Sequence, residues 1–549
     1  MNLSHSLLNA LKDYGAREVF GIPGDFALPF FRQIETSGIL PLFTFSHEPG
    51  LGFAADAAGR YRGTLGVAVV TYGAGCLNMI NAVANAYAEK SPLVVISGAP
   101  GASEADMGLS LHHQVKHLDS QRLVMNEVTC AQCVLDDPRT ACAEIARVLS
   151  TARHLSRPVY IEFPRDQVEA PANAVEPYQP PVSNSDAAQV AAAETLQLLK
   201  NAEKPALLLG VEIRRYGLSD KVAQLAKLLS IPAATSFMGR GILAETDAPL
   251  AGTYLGLAGD DSVRKLVEHS DGLLMLGVIL CDTNFGVSKR KVDMRNAVHA
   301  FDAQVSINYH RYDEVYLTEF VNQLLLQAET IGSATPGSAN YDTGMPLDDQ
   351  LITSRDVALA VNDMFGEYGA MPISSDMGDC LFSALDMQHT EMVAPGYYAT
   401  MGPGVPAGLG LQIAAEQRTL ILVGDGAFQM TGWELGNCRK LGVAPIVIVY
   451  NNKAWGMLKA FQGETRYNDL DEWHFADLCE ALGGKGRRVQ TRAQLAEALH
   501  EAQADNSQFR LVEVMLSRSD LSRALSQFTG AIKAHSVLRD SDEEPKMNE

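Results

Sequence analysis

The chain has little positive charge, scattered cysteine and no long apolar run, and each shortage excludes a class of function. Its 44 Lys and Arg stand against 65 Asp and Glu, a formal charge of −21. Such a field repels the phosphates of nucleic acid and anionic membranes, so neither is expected as a partner. No apolar run approaches the roughly 20 residues that cross a bilayer. The first residues do not read as a secretory leader. Leu3, Leu7, Leu8 and Leu11 are spaced for one helical face, and Asp13 follows. The eight cysteines show no ligand spacing; Cys130 and Cys133 lack a second such pair or a histidine pair. Reduced thiols in a cytoplasmic protein are the expectation.

What is present is α/β alternation, three times over, in a chain of 549 residues that is too long for one core. In the first segment, strands are expected at 66–70, 93–97 and 159–163, and helices at 48–61 and 77–89. The proline-rich stretch 171–185 reads as a linker. A middle segment has strand candidates at 206–209, 232–236 and 273–276, and a polar stretch, 332–345, closes it. The third segment ends in a strand at 511–515 and a helix through Phe528. Three doubly wound domains with mainly parallel sheets are expected, at 1–170, 186–331 and 346–535, with a charged, disordered tail at 536–549.

Two short strings carry the chemistry. Gly424-Asp425-Gly426 and Asn451-Asn452 each end an apolar run, and 27 residues separate Asp425 from Asn452. Alone, the first is as well read as a turn. Ending neighbouring parallel strands, they place a carboxylate and a carboxamide oxygen together at the edge where open α/β sheets bind ligands. Those hard oxygens suit Mg²⁺, and the glycines let backbone approach a phosphate.

With these strings the sequence resembles the thiamine-diphosphate (ThDP) enzymes, over residues 1 to 530. The resemblance implies that Asp425, Asn452 and the main-chain carbonyl of Ala454 hold the metal, and that Gly426 and Ala427 meet the diphosphate. His47-Glu48-Pro49-Gly50 opens a small-residue helix; Glu48 is implied as the carboxylate that bonds the pyrimidine ring and drives its proton transfer. The run Thr71 to Gly75, with Gly73, and then Asn81 and Glu89 resemble the pyrimidine-side wall. Met401 fits the residue wedged between the two cofactor rings, and Gly378-Asp379 the loop beside the thiazolium and diphosphate. In the family this wall and the metal strings come from different subunits, which implies an obligate dimer, usually within a tetramer.

Asp25, after Pro23-Gly24, and the pair His112-His113 resemble the non-oxidative 2-oxo acid decarboxylases, where such groups share protons near neutral pH. The resemblance is strongest to the phenylpyruvate/indolepyruvate branch, through Val211 to Tyr216, Met238 to Gly241 and Cys281 to Phe285. One position departs. Pyruvate decarboxylases carry a catalytic glutamate six residues after the metal-binding asparagine, where this chain has Leu458. Asp282 is the expected partial substitute. Met457, Leu458 and Phe461, with Phe382 and Phe528, are expected to line an apolar pocket suited to an aryl group. Decarboxylation of an aromatic 2-oxo acid follows. Preference for an aliphatic acid, or a carboligase of the acetolactate synthase type, is the alternative.

Overall fold

The computed structural model describes residues 1–542 except 245, 286–290, 336, 338 and 340, with side chains described to 533 except at 105. Three sheets organise the chain. The first is all parallel, in the order Leu42–Thr44, Val19–Gly21, Gly66–Val70, Leu93–Ala99, Val159–Pro164 and Ala131–Val134. The third is also parallel: Met392–Val393, Ile373–Ser375, Leu420–Gly424, Ile446–Asn451, Arg510–Met515 and Lys485–Val489. The middle sheet has seven strands and turns antiparallel at one edge, where Gln304–Ile307 pairs with both Ala297–Phe301 and His310–Asp313. The central strands are apolar throughout because helices cover both faces of each sheet; Gly66–Val70, Leu93–Ala99 and Gly272–Leu276 are buried at every position.

Local chemistry sets many helix boundaries. Asn2 caps Leu3–Asp13, whose four leucines are buried as spaced. Thr353 with Asp356, and Thr491 with Gln494, form capping boxes at the starts of Ser354–Tyr368 and Arg492–Ala504. The stretch 172–184 is without helix or strand, and Asn184 caps the first helix of the middle domain.

Two expectations are corrected. The helix placed at 77–89 is two helices, Ala74–Asn78 and Ile80–Ala88, divided at Met79. Gly73, at φ 64°, turns the chain early enough to start a helix at Ala74. The tail placed at 536–549 is helical as far as Asp542. Buried Ala524, Leu525 and Phe528 anchor that helix, and no proline occurs before Pro545 to stop its propagation. The last seven positions of that tail lie outside the described residues.

Candidate active site

Strands Leu420–Gly424 and Ile446–Asn451 are neighbours, with Gly424 level with Tyr450, so Asp425 and Asn452 emerge at one edge. Asp425 is only 4% exposed, and its two oxygens accept the N–H groups of Gly426 (2.8 Å) and Lys453 (2.7 Å). Burial outweighs those bonds and pushes its carboxyl up to about 6. The Asn452 carboxamide oxygen accepts from Ala454 N at 3.1 Å. Lys453 between them is left-handed, at φ 57°, which folds the turn back onto the carboxylate. A Cβ on Gly426 would sit 2.2 Å from the Trp455 ring, so only glycine leaves the backbone bare here. A buried carboxylate, a carboxamide oxygen and a bare glycine turn fit a divalent cation with its diphosphate. Asn451, by contrast, is structural: it donates to Glu513 inside the sheet.

The neighbouring loop holds a residue that sequence reasoning missed. Asp376, fully buried, accepts from Met377 N, Gly402 N and Gly404 N, which ties the turn after Met401 to strand Ile373–Ser375. Burial raises its carboxyl to about 6. Its signal was an acidic residue directly after a strand, Ser374-Ser375-Asp376. Asp379, expected at the cofactor, has Oδ2 held by Ser354 Oγ (3.1 Å) and Ser522 N (2.9 Å), while its Oδ1 is buried without a hydrogen-bond partner among the described residues. Met401 is half-buried between two apolar clusters. Its loop is also held from the first domain. Buried Glu89 accepts from Tyr397 N and Tyr398 N at 2.6 and 2.9 Å and pairs with Arg60. Asn81 donates to Thr400 Oγ at 2.8 Å.

On the first domain, Glu48 opens helix Glu48–Arg62 and accepts from Asn78 Nδ2 at 2.8 Å. Thr71 follows strand Gly66–Val70 and approaches Asp25 Oδ1, which follows the adjacent strand, at 3.4 Å. Gly73 N donates to Gln121 Oε1, and a Cβ there would fall 2.2 Å from His113 O. Asp25, His112 and His113 converge: His112 Nε2 bonds one Asp25 oxygen, and His113 Nε2 lies 3.7 Å from the other. Burial raises the Asp25 carboxyl. The His112 hydrogen bond, the Phe26 N–H and both imidazoles outweigh it and hold Asp25 below 3.8.

Comparison with known proteins decides the family. Residues 1–123 match the N-terminal TPP binding domain of thiamine pyrophosphate enzymes, 192–327 their central domain and 376–514 their C-terminal TPP binding domain. An indole-3-pyruvate decarboxylase of Azospirillum brasilense is 54% identical, covering 98% of this chain and 100% of that protein. Alpha-keto-acid decarboxylases of Mycobacterium ulcerans and Mycobacterium tuberculosis are 29% and 30% identical over 96% of this chain. The chain belongs to the ThDP-dependent 2-oxo acid decarboxylases.

In this decarboxylase the residues expected around the substrate divide. Phe382 and Phe528 are buried with ring centroids 5.1 Å apart, and Phe461 lies 6.3 Å from Phe528. Met457 and Phe461 share one face of helix Gly456–Gln462 and pack on the same cluster. Leu458 does not join them; it is 53% exposed, one helical position, about 100°, around from Met457. Asp282 accepts Thr283 N at 2.8 Å through one oxygen, Oδ1.

Proposed function

We propose that this decarboxylase converts an aromatic 2-oxo acid, phenylpyruvate or indolepyruvate, to the aldehyde and CO₂. The observation that carries the substrate class is the aromatic and methionine wall of Phe382, Phe461, Phe528 and Met457, beside a helix with Leu458 where a carboxylate would favour a small, polar substrate. The Azospirillum relative bears the name of an aromatic 2-oxo acid decarboxylase over its full length, which supports the same reading.

Asp425, Asn452 and the Ala454 carbonyl would hold Mg²⁺, with Gly426 and Ala427 along the diphosphate. Bound ThDP supplies the carbon nucleophile and the electron sink for the bond broken as CO₂ leaves. Glu48, fixed by Asn78, holds the proton at the pyrimidine ring. Met401, in the loop that Asp376 ties at Gly402 and Gly404 and Glu89 ties at Tyr397 and Tyr398, would support the cofactor. Asp25, His112 and His113 deliver and retrieve the protons of aldehyde release, with Thr71 and Gly73 shaping that wall. Asp282 assists from the middle domain in place of the missing glutamate.

The working form is a homodimer or homotetramer in the cytoplasm, each site combining Glu48 of one subunit with Asp425 of another. Met430, Trp433, Leu458 and Tyr467, all exposed on the third domain, offer apolar surface for that second copy. The test is aldehyde release with ThDP and Mg²⁺, read through an alcohol dehydrogenase, comparing phenylpyruvate, indolepyruvate and pyruvate. Aryl acids turning over well ahead of pyruvate is the expected result. Pyruvate ahead refutes the pocket, and no aldehyde from any of them points to a carboligase.

A further inference from the structure

Helix Glu48–Arg62, which opens on the residue assigned to the pyrimidine ring, has no cap of its own. The first N–H groups of any helix lack a partner inside it. Here His47, in the capping position, makes no side-chain bond to the helix, and Pro49 removes one N–H outright. Residues 45–47 carry the chain from edge strand Leu42–Thr44 into this helix, so the helix entry is left to be fixed by something else.

It is fixed from the third domain. Glu434 lies in the short 3₁₀ stretch Gly432–Asn437, which continues helix Asp425–Thr431, and its Oε2 accepts Ser46 N at 3.2 Å. Asn437 donates to the same oxygen at 2.7 Å and to Ser46 Oγ at 2.8 Å, so the three residues close a ring of hydrogen bonds. Gly50, third in the helix, brings bare backbone to this carboxylate: a Cβ there would fall 3.0 Å from Oε1 and 3.3 Å from Cδ. Glu434 is fully buried. Burying a carboxylate is costly, and apolar side chains of similar volume would hold the two domains at least as well. Apolar side chains cannot receive the Ser46 N–H and so set where the helix begins.

We infer that Glu434 is a positioning residue for Glu48, holding through Ser46 the backbone that presents the Glu48 carboxylate to the pyrimidine ring. This rests on the proton-transfer role proposed for Glu48 above. Glu48 stands two residues beyond Ser46; Asn78 holds its carboxylate at 2.8 Å, and Glu434 holds the backbone that carries it. A group that moves a proton must lie within hydrogen-bond reach of it, and a misplacement of about 1 Å costs on the order of 100-fold in rate.

Two substitutions separate reach from charge. Glu434→Asp keeps the charge but withdraws the carboxylate by one methylene, about 1.5 Å, out of reach of Ser46 N. Glu434→Gln keeps the length and an acceptor oxygen; burial already raises this carboxyl, so a neutral amide suits the site. Each protein is loaded with ThDP and Mg²⁺ without substrate, and exchange of the cofactor's carbon-2 proton in D₂O is followed by NMR. Amide hydrogen exchange across residues 45–52 of the cofactor-free chain reads the helix entry directly. Glu434→Asp should slow carbon-2 exchange about tenfold or more and speed amide exchange, while Glu434→Gln stays within about threefold of wild type in both. Wild-type carbon-2 exchange in Glu434→Asp, or Glu434→Gln as slow as Glu434→Asp, overturns the assignment. Glu48→Gln is measured alongside. If it exchanges at the wild-type rate, the role proposed for Glu48 falls; slow exchange in Glu48→Gln beside wild-type exchange in Glu434→Asp removes only Glu434.

Discussion

Gly426→Ala isolates the close approach at the sheet edge where Asp425 and Asn452 meet. The backbone there is ordinary, so no φ strain enters; the whole effect is the new methyl, 2.2 Å from Cζ3 and 2.7 Å from Cε3 of Trp455. Ordinary contact begins near 3.4 Å, so the ring or the turn must retreat by about 1 Å. Trp455 follows the Asn452–Ala454 turn directly, and its N–H is tied to Asn468 O at 2.9 Å, so the retreat moves the turn whose carbonyl and carboxamide would bind metal. Overpacking of this size costs about 1–3 kcal/mol. If the cofactor restores the native turn, that cost reappears as a loss of ThDP–Mg²⁺ affinity of about 5- to 150-fold. Titration of the cofactor-free protein with ThDP and Mg²⁺, followed through tryptophan fluorescence, reads it. Gly366→Ala is the control: a methyl there meets open space in helix Ser354–Tyr368, and it should gain about 0.5–1 kcal/mol. Wild-type affinity in Gly426→Ala refutes the assignment of this turn to the cofactor.

Glu48→Gln and Asp425→Asn should each abolish turnover, the first with diphosphate binding mostly intact; co-refolded in equal amounts they should recover about a quarter of wild-type activity, since half the dimers then hold one intact site of two. No recovery places both residues in one subunit's site. Asp376 titrates near 6 in the fold against an ordinary 3.8, so the fold binds more protons between those values and loses stability as pH rises through them. The stability difference between wild type and Asp376→Asn should accordingly fall by about 2 kcal/mol from pH 4 to pH 7, and a flat difference in thermal or denaturant unfolding contradicts the burial argument. Asp282→Ala should lower kcat/KM for the preferred aryl acid by about tenfold if its carboxylate assists chemistry; near-normal turnover removes it from the mechanism.

Strands buried on both faces were legible because nothing but an apolar run can occupy them: Gly66–Val70 lies where its residues predict, as do the cores of Leu93–Ala99, Val159–Pro164, Pro205–Leu209 and Gly272–Leu276. The meeting of Asp425 and Asn452 at one sheet edge was legible because each follows such a run. Asp376 was not, since its partners are three backbone N–H groups that leave no trace in side-chain pattern. Asp379 carries no sign in the sequence that one of its oxygens, Oδ2, ties Ser354 and Ser522. Leu458 was grouped with Met457 and Phe461, although only the i, i+4 pair shares a face.

The grip of Glu89 on Tyr397 and Tyr398 bears on how this scaffold is recombined. The peptide that presents Met401 takes its position from a carboxylate more than 300 residues earlier, with Arg60 holding both Glu89 and Ala394 O. Gly410 meets Ala54 so closely that a single methyl would collide with its carbonyl. Chimeras that cross over at the domain linkers separate these partners. Libraries built from homologous parents should therefore inherit residues 48–90 and 394–415 as one block, even though the linkers appear the natural place to cut.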